Sequence, residues 1–76
     1  MKVDKNELKD LIAEIIETDT SAIGDDSNFV TDLAMNSLQM LDCVAEIEDR
    51  YDIRIPKGDI NKLTSVDNVI EYMEGL

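Results

Sequence analysis

The sequence predicts an all-α fold: a small four-helix bundle of three longer helices and one short helix, with a long loop between helices one and two. Apolar residues recur at the three- and four-residue spacing of a helix face in three segments of the chain. Aromatic residues make up only 4% of the sequence, so the core is expected to be aliphatic and rich in methionine. The one strand-like alternation, at residues 52–56, has no second strand with which to pair.

The length of 76 residues suffices for one small domain, residues 1–76, and leaves no room for a second. A monomer is the default expectation for such a domain. Residues 1–7 are charged where a signal peptide would need an apolar core, and no segment approaches the length of a membrane span. We therefore expect a cytoplasmic protein that does not contact membranes.

Eighteen acidic residues against seven basic ones give a formal net charge of −11, and histidine is absent from the sequence. This charge repels phosphate backbones, so nucleic-acid binding is excluded and basic partners are expected. The single cysteine, Cys43, cannot form an internal disulfide, and without histidine neither a Cys/His zinc site nor a Cys–His nucleophile can be assembled. We expect no metal site, and we expect Cys43 to be buried as a small hydrophobic side chain.

Helix one is expected from about Lys5 to Glu17. Asp4, followed three residues later by Glu7, forms a capping-box-like start. The apolar residues of this segment share one helical face, which is predicted to pack on the core. They are Leu8, Leu11, Ile12, Ile15 and Ile16.

The long loop is expected at residues 18–35, where turn-forming polar residues are interrupted by isolated apolar ones. A connection of this length is unusual in so small a domain, so its apolar residues should pin it over the helices, with Phe29 as a core plug. The acidic loop does not fit an EF-hand. In the register that begins at Asp19, Ile23 and Val30 stand where liganding oxygens are required.

Helix two is expected from Asn36 to about Tyr51. At about 100° per residue it carries two apolar stripes. The core-facing stripe consists of Met40, Cys43, Val44, Ile47 and Tyr51. The second stripe consists of Leu38, Leu41 and Ala45, with Asp42 and Asp49 beside it and Glu48 on its other margin.

The second stripe of helix two has two interpretations. An apolar strip rimmed by carboxylates is typical of a docking face for a partner that has a hydrophobic spot and a basic surround. Small bundles also bury wide helix faces, and in that case Leu38 and Leu41 pack against the long loop or the last helix. The sequence supports the two interpretations about equally.

The remaining chain is expected to hold a linker and two helices. Residues 52–56 form an extended linker, and Pro56 separates it from the next element. Residues 57–63 should form a single short helical turn with Ile60 and Leu63 facing inward. Ser65 should cap the last helix and Gly75 should end it. The core face of that helix is Val66, Val69, Ile70 and Met73.

The start of helix two also has two interpretations. The Asn36 side chain is a common helix cap, and Ser37 then merely tolerates the first helical position. Alternatively, the Ser37 hydroxyl serves a function of its own. It would lie beside free backbone N–H groups and the positive end of the helix dipole, which is a natural place for a phosphate.

Taken together, residues 28–38, the acidic and apolar second helix, the exit segment 51–56 and the closing cap at 63–66 resemble an acyl carrier protein over essentially the whole chain. The hallmark of that family is a serine in an Asp-Ser-Leu triplet that is modified with 4′-phosphopantetheine from coenzyme A, and Ser37 with Leu38 occupies that place. The resemblance implies a carrier rather than an enzyme. The thiol of the arm holds acyl intermediates as thioesters for fatty acid, polyketide or specialised lipid biosynthesis.

The resemblance also implies partners, namely a phosphopantetheinyl transferase and acyl-transferring and synthase enzymes with basic surfaces. In the family, helix two is the recognition element, and its acidic residues meet basic patches on those enzymes. The partner-binding residues implied here are Asn36, Leu38, Leu41, Asp42, Ala45, Glu48 and Asp49. They include the stripe that the helical wheel identified independently.

The chain departs from the pattern of this family near the serine. Asn36 stands where the family usually has aspartate, so it can cap the helix but lacks a charge beside the modified residue. Ala34 replaces the usual glycine, Met35 adds bulk, and Gln39 stands where an acid is common. These differences favour a specialised carrier. Two alternatives stay open: an aminoacyl or peptidyl carrier of the D-alanyl or nonribosomal type, and an acidic helical adaptor that carries no arm.

Overall fold

The computed structural model describes residues 2–76, and Met1, the first residue of the predicted domain, lies outside them. The helices are α1 (Lys5–Ile16), α2 (Ser37–Tyr51), α3 (Lys57–Ile60) and α4 (Val66–Glu74), with one 3-10 turn at Thr20–Ala22. Residues 2–76 contain no strand. The predicted all-α fold, with one short helix and a long loop before α2, is confirmed. None of these helices is both long enough and apolar enough to cross a membrane.

The helix bounds differ from the prediction at three ends. α2 begins at Ser37 rather than Asn36, which is its cap. α1 stops at Ile16 because Glu17 takes a left-handed conformation with φ of 56°. The short helix ends at Ile60 rather than Leu63, and a turn follows it. The 3-10 turn in the loop was not predicted, since three residues are too few to show a helical period.

Side-chain caps fix the starts of α1 and α4 as the sequence predicted. The Asp4 carboxylate accepts hydrogen bonds from the backbone N–H groups of Asn6 at 2.8 Å and Glu7 at 3.4 Å. The Ser65 hydroxyl accepts from the N–H of Asn68 at 3.1 Å. The Asn68 side chain reaches back and accepts from the N–H of Thr64 at 3.0 Å. These caps satisfy orphan donors and set where α1 begins to pack against α2 and α4.

The buried side chains form one cluster to which every helix face predicted from the sequence contributes. Phe29 is 1% exposed and belongs to this cluster, as the prediction of a core plug required. On α2 the buried residues are Cys43, Val44 and Ile47, while Met40 and Tyr51 are half-buried and pack against them. The core-facing stripe of α2 is therefore confirmed.

The long loop is held to the bundle by polar contacts as well as by its apolar residues. The Asp25 carboxylate forms ion pairs with Lys5, at 2.9 Å, and with Lys9, both on α1. Hydrogen bonds from these two ammonium groups, Lys9 first, lower the pKa of Asp25. The backbone carbonyl of Asp25 accepts from the N–H of Asp67 in α4 at 2.9 Å. The loop thus bridges the starts of α1 and α4, which explains its length.

Residues 28–35 form a tight turn that leads into α2. The Asn28 side chain accepts from the N–H groups of Val30 and Thr31 at 2.9 Å each, and the Asp32 side chain accepts from the N–H of Asn28 at 2.8 Å. Ala34 closes the turn with a left-handed φ of 56°. Its successor Met35 is 3% exposed, so the chain is anchored in the core one residue before the cap of α2.

We expect Ala34→Gly to raise the free energy of unfolding by about 0.5–1 kcal/mol. Glycine removes a left-handed-conformation cost of about 1–2 kcal/mol but adds conformational entropy to the unfolded chain. Urea denaturation followed by circular dichroism measures the change. Ala45→Gly, at an exposed position inside α2, is the matched control and should lower the same free energy by about 0.5–1 kcal/mol. Equal destabilisation by the two substitutions would contradict the strain assigned to Ala34.

Candidate functional site

The start of α2 is fixed by a reciprocal capping box. The Asn36 side-chain oxygen accepts from the N–H of Gln39 at 2.8 Å, and the Gln39 side-chain oxygen accepts from the N–H of Asn36 at 3.0 Å. The cap predicted for Asn36 is confirmed, and the return bond from Gln39 was not foreseen. The two side chains satisfy each other, so the helix does not need the hydroxyl of Ser37 to begin.

Ser37 is the first residue of α2 and is exposed. The backbone N–H groups of the first helical turn point towards this end, where the helix dipole is positive. The cap residue Asn36 is neutral, so it places no negative charge that would oppose the positive end of the helix dipole. An anionic group linked to the Ser37 hydroxyl is therefore stabilised by its position.

A cavity of about 510 Å³ opens beside Ser37, between the turn at residues 28–36, α2 and the segment that carries α3. Its apolar surface comes from Phe29, Val30, Met35, Met40, Leu41, Ile60 and Leu63. None of the described residues that line it carries a charge. The size is typical of a cavity that holds a small apolar ligand, and Ser37 lies on its rim.

The second stripe of α2 is exposed rather than buried. Leu38 is 68% exposed and Leu41 is 54% exposed, and Ala45 is exposed as well. The interpretation in which Leu38 and Leu41 pack against the loop or the last helix is wrong, because the opposite stripe of α2 already supplies that core contact. We call the three residues Leu38, Leu41 and Ala45 the apolar strip.

The acidic residues predicted around the apolar strip differ in their surroundings. Asp42 and Asp49 are exposed on one side of the strip. Glu48, on the other margin, is half-buried, and its carboxylate accepts from the backbone N–H of Ile55 at 2.8 Å. Glu48 thus holds the linker against α2, and this contact could not be foreseen because seven residues separate the partners.

The structure brings Asn36, Ser37 and Leu41 together at the rim of the cavity. Leu38, Ala45 and the acidic residues lie along α2 outside the cavity lining. Sequence reasoning missed Val30, which is 61% exposed and also lines the cavity. The sequence signal that could have identified Val30 as exposed is the Asn–Asp pair four residues apart, Asn28 and Asp32. When both side chains bond to the backbone and close a turn, a residue between them lies at the surface of the turn.

Cys43 lies inside the bundle and is 2% exposed. Burial raises the pKa of its thiol to about 12, so the thiolate is not populated at neutral pH. A thioester carried by the protein would therefore meet no reactive thiolate from this residue. The prediction of a buried hydrophobic role for Cys43 is confirmed.

The sequence model of the phosphopantetheine attachment site family matches residues 6–73. An acyl carrier protein of Brachyspira hyodysenteriae is 37% identical over 70 residues, which cover 91% of this chain and 90% of that protein. The polyketide-8 synthase acyl carrier protein 2 of Streptomyces avermitilis is 28% identical over 71 residues, 93% of this chain and 82% of that one. A solved structure assigned as an acyl carrier protein of Mycobacterium tuberculosis superposes with a TM-score of 0.84 at 27% identity, covering 93% of this chain and 95% of that one.

The four-helix fold and these similarities together define a phosphopantetheine-bearing carrier domain. The chain belongs to the acyl carrier protein family. It is an acyl carrier with a covalently attached 4′-phosphopantetheine group, as the resemblance implied.

We expect Cys43 to be inert towards an aromatic disulfide reagent in the folded, unmodified protein. Its reaction should be at least about 100-fold slower than after denaturation, because a buried thiol reacts only when the structure opens. Ser37→Cys in the same chain is the control, since it adds an exposed thiol that reacts at once. Equal rates for Cys43 and for the cysteine introduced at position 37 would contradict the burial.

Proposed function

We propose that the Ser37 hydroxyl is the point at which 4′-phosphopantetheine is attached. The observation that carries this proposal is the geometry at the start of α2, where Asn36 and Gln39 complete the cap and leave an exposed serine at the positive end of the helix. The phosphate of the group fits there beside the backbone N–H groups of the first turn. When bound, the group supplies a thiol that holds an acyl chain as a thioester.

The chain acts as a carrier, and enzymes that bind it supply the catalysis. Histidine is absent from the sequence, and the single cysteine is buried with a raised pKa. Residues 1–76 act as one carrier domain. Its role is to hold the arm at a fixed point and to present it beside a surface that enzymes recognise.

Acyl intermediates are the cargo that the site favours. The cavity beside Ser37 has an apolar lining, and none of the described residues around it has a charge with which to pair an amino group. Burying an aliphatic chain there is favourable by about 25 cal/mol of free energy per Å² of apolar surface removed from water. The likeness to a polyketide carrier and to an acyl carrier protein supports fatty acid, polyketide or related lipid synthesis over an aminoacyl or peptidyl cargo.

The partners are a phosphopantetheinyl transferase and acyl-transferring and synthase enzymes with basic surfaces. The apolar strip and its acidic neighbours on α2 support this proposal, because exposed leucines beside carboxylates fit a hydrophobic spot that has basic residues next to it. The residues assigned to this contact are Asn36, Leu38, Leu41, Asp42, Ala45, Glu48 and Asp49. Glu48 contributes its charge while one of its oxygens stays bonded to the linker.

Intact mass spectrometry tests the attachment point. Incubation with coenzyme A, magnesium and a broad-specificity phosphopantetheinyl transferase should add the mass of one phosphopantetheine group to the wild-type protein and none to Ser37→Ala. Ser21→Ala, which removes an exposed hydroxyl in the loop, is the control and should gain the full mass. A wild type that stays unmodified with several transferases, or a modified Ser37→Ala, would overturn the proposal. An unmodified but functional protein would leave the acidic adaptor as the better description.

Asn36→Asp should raise kcat/KM for the same transferase. It introduces the carboxylate that the family usually has beside the serine. One favourable charge contact with the transferase should raise its kcat/KM by about 3- to 10-fold. Aspartate also caps helices well, so the fold should be kept. Gln39→Glu adds the same charge two positions after the serine and controls for net charge. A kcat/KM that Asn36→Asp leaves unchanged would show that the neutral cap does not limit modification.

A further inference from the structure

A second groove lies along the apolar strip, on the side away from Asp42 and Asp49. It has a volume of about 400 Å³ and separates the C-terminal half of α2 from residues 54–60. Its α2 wall is lined by Leu41, Val44 and Ala45 and by Glu48, which has one oxygen bonded to the N–H of Ile55. The other wall is lined by the apolar residues Ile55, Pro56 and Ile60. Since Leu41 and Ala45 belong to both features, the groove and the apolar strip form one continuous apolar surface.

The two borders of this surface carry opposite charge. Asp42 and Asp49 are exposed on the α2 border. On the opposite border, Arg54 and Lys57 are exposed and line the groove. Within residues 2–76, neither of these two cations lies within 4.0 Å of a carboxylate.

The pairing of the other basic residues makes this border distinctive. Of the five others, four are engaged with carboxylates of the described chain, namely Lys5, Lys9, Arg50 and Lys62, and the fifth, Lys2, lies outside the groove. With 18 acidic residues and only seven basic ones, most cations of this chain can find a carboxylate partner. Arg54 and Lys57 instead line a groove, where a bound molecule would meet their charge.

We propose that this surface binds a partner protein that presents an apolar side chain with basic residues on one side and acidic residues on the other. The basic residues would face Asp42 and Asp49, and the acidic residues would face Arg54 and Lys57. A partner that is basic all round the contact would place like charges against Arg54 and Lys57 and would be disfavoured. The proposal rests on the carrier function, since it describes which synthase surfaces the carrier accepts and in which orientation.

A second copy of the chain offers the same two borders and is the other molecule that could fit. The net charge of −11 on each copy opposes that pairing. The surface is therefore assigned to a different protein. Sedimentation of the wild type and of the double variant Arg54→Glu/Lys57→Glu distinguishes the two cases. A wild-type dimer that this variant abolishes would overturn the assignment.

The test uses two helical probe peptides, each with a central leucine stripe. The bipolar probe has arginines on one border and glutamates on the other, and the basic probe has arginines on both. Binding to the ¹⁵N-labelled full chain is followed by NMR shifts at physiological salt, where charges farther away than about 8 Å are largely screened. Changes in amide shifts should map to α2 and residues 54–60.

The ratio of the two dissociation constants is the readout. The double variant Arg54→Glu/Lys57→Glu should shift that ratio towards the basic probe by about 5- to 10-fold. The two new carboxylates would attract the arginines of the basic probe and repel the glutamates of the bipolar probe. Lys2→Glu/Lys62→Glu has the same net charge, lies outside the groove and should shift the ratio by less than about 2-fold. Equal shifts for the two double variants, or none for either, would overturn the proposal.

Loading of Ser37 is measured on the same samples by intact mass. Loading without the expected probe preference would reject the bipolar surface and leave the carrier function in place. Probe preference without loading would support the bipolar surface while rejecting the attachment point. The two proposals can therefore fail independently.

Discussion

The carrier site depends on the capping box at the start of α2. A helix leaves its first N–H groups without intrahelical partners, and a serine at this end would ordinarily be drawn into satisfying them. Here Asn36 and Gln39 do so for each other, at 2.8 and 3.0 Å. The first helical residue is thus held in place by its neighbours while its own side chain stays exposed. A fixed backbone with an uncommitted hydroxyl is what a prosthetic group needs at its point of attachment.

The capping box is effective because the loop before it is held to the core. Phe29 and Met35 are buried at either end of the turn, and the N–H of Met35 bonds to the carbonyl of Phe29 at 2.8 Å. The N–H of Phe29 in turn bonds to the carbonyl of Thr64 at 2.9 Å, just before α4. These contacts join the proposed attachment point at Ser37 to a distant part of the chain. The loop is long because it must reach from the end of α1 across the start of α4 before it returns to α2.

Periodicity predicted the helices, their core faces and the existence of a second apolar stripe on α2, because each depends on residues close in sequence. The choice between a buried and an exposed Leu38 could not be made in the same way. It depended on whether the loop or α4 would cover that face, and both pack elsewhere. Three other features also depend on tertiary contacts between residues distant in sequence. They are the bond from Ile55 to Glu48, the pairing of Asp25 with Lys5 and the charged border at Arg54. Composition counted these charges but could not say which of them neutralise each other.

Glu48 links the two borders of the partner surface. Asp52 ends α2 in a left-handed conformation with φ of 53°, which turns the chain back along the helix. The Glu48 carboxylate then bonds to the N–H of Ile55, whose side chain is buried and whose neighbours are Arg54 and Pro56. This bond sets the position of the basic border relative to α2, so the spacing between Arg54 and the aspartates is a property of the folded backbone. Since charge selectivity falls off quickly with distance in water, a fixed spacing lets the surface discriminate among partners by orientation as well as by net charge.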